Sequence, residues 1–191
     1  MGDSPELAVA ERDLRFVRGQ VWPRRREIIA HPAFGLAGAS AVVVALAVDH
    51  LPVGGMRINE LADIGFTFAA IAFGACVSAT VLSIGLPGAR RARLWSRAAG
   101  SVPGKSALSD LIFVLAWASV CQFVLIVTCS LAVAFGGDID VAPAGMLTSH
   151  RVALALGLFS AFYAFAELLI VILTLSQIAV VIIAEEQRDP G

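Results

Sequence analysis

Residues 152–184 read VALALGLFSAFYAFAELLIVILTLSQIAVVIIA, thirty-three positions with one charge, Glu167. A helix needs about 20 mostly apolar residues to cross the ~30 Å hydrocarbon layer of a bilayer. Three further stretches meet that length without any charge: 28–48, 64–89 and 111–137. The reading is an all-α integral membrane protein, a four-helix bundle made of two antiparallel transmembrane hairpins. An amphipathic N-terminal segment (1–27) precedes the spans, and a short tail (185–191) follows them. At 1.5 Å per residue the last stretch would reach about 50 Å, so it must tilt, kink or project.

The composition agrees. Of 191 residues, 58% are hydrophobic and 15% charged, against about 25% charged in soluble domains. Mean hydropathy is +0.83. A net charge of −1 implies no nucleic-acid partner. Thirteen of the fourteen basic residues are Arg, and Ala is abundant, as in GC-rich bacterial coding. Cys76, Cys121 and Cys129 fall within spans without CxxC spacing and read as small core residues. Ala45-Leu46-Ala47 resembles a signal-peptidase site, but almost thirty residues precede its apolar run, which is too long for a signal peptide.

Basic residues set the orientation. Arg12, Arg15, Arg18, Arg24, Arg25 and Arg26 precede the first span. Arg90, Arg91, Arg93, Arg97 and Lys105 lie between the second and third, and Arg188 follows the fourth. With four spans these twelve share one side, and only Arg57 and Arg151 face the other. The positive-inside rule then puts both termini in the cytoplasm, with the plasma membrane as the expected location. Leu7, Ala10, Leu14, Val17 and Val21 recur at helical spacing after Ser4 and Pro5, and Pro23 is expected to end or kink this helix. Trp22 followed by three Arg suits the headgroup level, where such a helix would meet anionic lipid; packing on the bundle or on a partner is the other reading.

Glu167 is the leading candidate for a functional group, because a carboxyl at bilayer depth is costly and usually faces protein or a wet cavity. It belongs to a stripe of small and polar residues: Ala153, Gly157, Ser160, Ala164, Glu167, Val171 and Thr174. Such stripes let helix backbones approach closely. On the third span Gln122, with Ser119 beside it, reaches the same depth, and its amide is expected to donate to the carboxyl. The second span has its own stripe through Ala70, Gly74 and Ser78.

Other patterns carry less. Ala99–Ser106, AGSVPGKS, approaches the phosphate-binding loop, but no strand precedes it and no βαβ unit surrounds it, so no nucleotide is expected. Gly100, Pro103 and Gly104 read as chain breakers before the third span, with Ser109 as its cap. Asp49, Glu60, Asp63, Asp138 and Asp140 crowd the outer side as ordinary loop charge. His50 and His150 lack a third ligand, so no metal or cofactor is expected. No nucleophile–base arrangement supports an enzyme, including one acting on lipid. The expected role is structural: a homo-oligomer, or a small subunit bound to another membrane protein. The rival is a cation or proton conductor lined by Glu167 and Gln122.

Overall fold

The computed structural model describes residues 16–50, 56–85, 95–101, 103–136, 139–142 and 147–188. Regular structure among the described residues is helical, apart from two isolated bridges. A π-helical turn, Phe16–Val21, leads into α1 (Trp22–Ala30). Then follow α2 (Pro32–Ala47) with a 3₁₀ turn at Val48–His50, α3 (Ile58–Gly85), α4 (Ala107–Gly136) and α5 (Thr148–Arg188). Three of these, α3, α4 and α5, are each long and apolar enough to cross a membrane.

The stretch 28–48 is not one helix. It breaks at His31, where the chain bends by 60° between the helix ending at Ala30 and α2. The cause is local. Pro32 bars its predecessor from the α region, and His31 takes φ −65°, ψ 132°. His31 then caps the new helix, its Nδ1 accepting from the Ala33 N–H at 3.3 Å. Pro23, by contrast, sits harmlessly in the first turn of α1, where its missing N–H costs nothing. The expected break at Pro23 therefore lies eight residues further on. The segment from Ser4 through Arg15 lies outside the described residues. The long fourth stretch is one unbroken helix of 41 residues, about 61 Å at 1.5 Å per residue.

The helices pack in the order α3, α4, α5, α2, each antiparallel to its neighbour, with only light contact between α3 and α5. The first two long segments thus do not form a packed hairpin: α2 lies on α5. The buried positions are mostly small. Ala37, Ala41 and Ala45 recur every fourth residue on α2; Ala62, Ala69, Ala72 and Cys76 line α3; Ala118 and Cys121 do so on α4. At Gly65 a Cβ would stand 2.8 Å from Cys129 Sγ, so the missing side chain makes room for that sulfur between α3 and α4. Large side chains point outward instead, among them Leu36, Ile71, Phe123, Phe135 and Leu173.

Hydrogen bonds tie the ends. Glu60 accepts from the Arg57 N–H, closing the first turn of α3. The Ile58 and Val141 amides donate to the Ile139 and Met56 carbonyls, joining that turn to the segment after α4. At the other end Ser106, not Ser109, caps α4: its hydroxyl accepts from the Ser109 N–H at 3.3 Å. The loop before it folds back through Gly100 N–H to Lys105 C=O and Ala107 N–H to Ala98 C=O. The Asp110 carboxylate accepts from the Ser101 N–H, so this turn is closed by a side chain of its own chain.

Asp110 also forms an ion pair with Arg24, whose guanidinium lies 4.4 Å from the Phe113 ring centre. Arg24 is buried, and Asp110 is partly exposed. Removing one member of such a pair strands the other. Arg24→Gln should lower stability in detergent by about 1–3 kcal/mol, discounted for the exposure of Asp110. Arg25→Gln, on the exposed side of α1, should leave the melting temperature unchanged; equal effects would show that the pair contributes nothing.

A candidate polar site around Glu167

Glu167 is buried at 7% exposure, midway along α5. Tyr163, one turn earlier on the same helix face, and Trp117 of α4 stand beside it. Trp117 Nε1–H donates to the Tyr163 hydroxyl at 3.1 Å. That bond ties α4 to α5 next to the carboxyl group. His31 lies within electrostatic range of Glu167, placed there by the break between α1 and α2.

Aromatic packing closes the surroundings. Phe34, on the first turn of α2, meets Phe159 and Tyr163 edge to face, with ring centres 5.2 and 5.5 Å away. Phe159 and Tyr163 stack at 5.8 Å. Phe113 and Phe16 extend the row from Trp117 at 6.2 and 6.3 Å spacings toward the Arg24–Asp110 pair. Such contacts contribute about 0.5–1.5 kcal/mol each beyond area burial. They connect the polar site to the buried ion pair through one continuous aromatic row.

Gln122 is brought to the site but not into the expected bond. Its Nε2 donates to the Ala164 carbonyl oxygen at 2.7 Å, using that oxygen's spare lone pair. Its Oε1 is buried with no hydrogen-bond partner. Ser119 and Ser160 donate to the carbonyls of Leu115 and Leu156 on their own helices. They are satisfied without a partner helix.

The small-residue stripes divide. Ala164 is fully buried beneath Gln122. Ala153 and Gly157 instead line an apolar groove of about 850 Å³ between α3 and α5, floored by α4. A Cβ at Gly157 would meet nothing within 4 Å. Ala70, Gly74 and Ser78 are exposed on the far side of α3, and Gly74 is equally open. The packed face of α3 is the neighbouring one through Ala62, Ala69, Ala72 and Cys76.

Two site residues escape a reading by residue type. Tyr163 is the chain's one tyrosine and stands four residues before Glu167, a spacing that signals contact on a helix. Trp117 carries no such signal, because only the α4–α5 packing brings it there. No protein-family model, curated protein or solved structure matches this chain.

Tyr163→Phe should cost about 1–3 kcal/mol, since it leaves the Trp117 Nε1–H without its acceptor. Combined with Glu167→Gln, the two losses should fall short of their sum by at least about 0.5 kcal/mol in a thermal-denaturation cycle. Strict additivity would mean that the two groups do not interact. Gln122→Met removes the unpartnered Oε1 together with its donor and should change stability by less than about 1 kcal/mol.

Proposed function

We propose that this chain is a four-span integral membrane protein of a bacterial plasma membrane, with both termini cytoplasmic, and that its role is structural. It works as a homo-oligomer or as a small subunit of a membrane complex. The fourth span is α2 with its 3₁₀ extension, preceded by α1 across the bend. Its sixteen and three residues give about 24 and 6 Å, matching a ~30 Å hydrocarbon layer. Small residues inside and large apolar residues outside also support lipid as the solvent, since helices there associate through close packing rather than by burying oily surface.

The observation that carries the structural role is the apolar groove between α3 and α5. The described residues leave it open, lined by large apolar side chains such as Phe68, Phe135 and Phe165 with Gly65, Ala153 and Gly157 between them. An apolar groove with such gaps fits a neighbouring helix about 10 Å across. Glu167 does not line this groove, and Tyr163 and Trp117 of its own chain flank it. Both facts favour a packing role over the rival reading, conduction past Glu167.

In mild detergent, Gly157→Leu should reduce the particle's mass without lowering its melting temperature, because the added side chain projects into open space. Gly74→Leu tests the second exposed stripe in the same way. An unchanged mass in both variants would sink the assembly reading. Cation or proton flux in reconstituted vesicles that vanishes in Glu167→Gln would establish the rival. Cysteines introduced at Arg26 and Arg91 should label from one side of the membrane, and one at Arg57 from the other.

A further inference from the structure

The bend at His31 gives α1 two unlike sides. Arg24 turns inward to Asp110 and Phe113. Trp22, Arg25, Arg26 and Ile29 are all exposed, and at 100° per residue they share an arc of about 100°. Trp22 and Ile29 are each 62% exposed. Arg25 sits over the Trp22 ring, 4.3 Å from its centre. The one carboxylate of the helix, Glu27, lies about 150° from the middle of that arc. Glu27 is exposed too, but outside this arc, which thus holds two guanidinium groups and two large apolar side chains and no carboxylate of α1.

We infer that this face of α1 binds anionic phospholipid on the cytoplasmic side, an inference that rests on the four-span reading. With α2 along the membrane normal, the 60° bend lays α1 at about 30° to the membrane plane, the attitude of an interfacial helix. Trp22 and Ile29 enter the boundary between headgroups and acyl chains. Arg25 and Arg26 remain at phosphate depth and pair with anionic headgroups there. Water alone gives no reason to expose an indole and an isoleucine beside two cations, whereas a charged lipid surface matches all four. The Arg24–Asp110 pair fixes the rotation of α1, so that this face and not another meets the lipid.

The test uses the full chain, purified in neutral detergent and titrated with phosphatidylglycerol or phosphatidylcholine while its melting temperature is followed. Phosphatidylglycerol should stabilise selectively. The concentration giving half of that effect should rise about 30-fold in the Arg25→Gln/Arg26→Gln double variant, because two guanidinium charges no longer pair with headgroups. Glu27→Gln should keep the selectivity. In vesicles containing brominated phosphatidylglycerol, tryptophan quenching should fall in Trp22→Phe. Selectivity retained in the double variant, or a Trp22 that bromine does not reach, overturns the inference. In the latter case the face is left to an acidic protein partner. A chain extracted from vesicles by alkaline carbonate would instead sink the four-span reading, and this inference with it.

Discussion

The helices of this protein come together because small residues line their seams. Between α3 and α4 a glycine hydrogen faces a cysteine sulfur, and on α2 an alanine every fourth residue meets α5. Nothing larger would fit at Gly65 without displacing the Cys129 side chain. Large side chains are consequently displaced to the outside, where a water-soluble bundle would present charge. This reversal is intelligible if dispersion and close backbone approach, rather than expulsion of oil from water, hold the helices together. Everything else in the structure depends on that economy of volume, including the open groove, which arises where α3 and α5 diverge above a floor of α4.

The second organising feature is the proline break. Without it, 22–47 would form a single rod, and neither Phe34 nor His31 would be set against α5. The break turns α2 onto the Phe159–Tyr163 face and lets α1 fold back toward the start of α4. From there a row of rings runs between a buried ion pair and a buried carboxyl. Polar groups that would be expensive alone are given partners: Arg24 by Asp110 and Phe113, and Trp117 by the Tyr163 hydroxyl beside Glu167. Gln122 Oε1 is an exception, and its cost of about 1–3 kcal/mol is offset by the packing around it.

These features give a consistent division of labour along the molecule. The half containing the groove is apolar. The opposite half carries the aromatic row, the ion pair and the cationic face of α1. Glu167 lies at the junction, beside the Trp117–Tyr163 and Gln122–Ala164 hydrogen bonds that tie α4 to α5.

Much was legible in the residues alone. The apolar runs determined that the chain is helical and where its three longest helices lie, because a helix satisfies its backbone polarity within its own segment. Glu167 stood out as a single charge in thirty-three residues, and its i−4 neighbour Tyr163 was within reach of the same reading. His31 was legible too, since the restriction that proline places on its predecessor is local. Which helix faces which was not. The stripe through Ala70 and Gly74 has the composition of a packing face, yet the adjacent face of α3 is the packed one; the α5 stripe is packed at Ala164, Glu167 and Val171 but opens onto the groove at Ala153 and Gly157. Trp117 joined Glu167, and Gln122 turned to a backbone carbonyl, only through the way α4 lies on α5. Period and hydropathy act within a segment and so can be read along it; rotation about the helix axis is chosen by contact between segments, which only the tertiary structure decides.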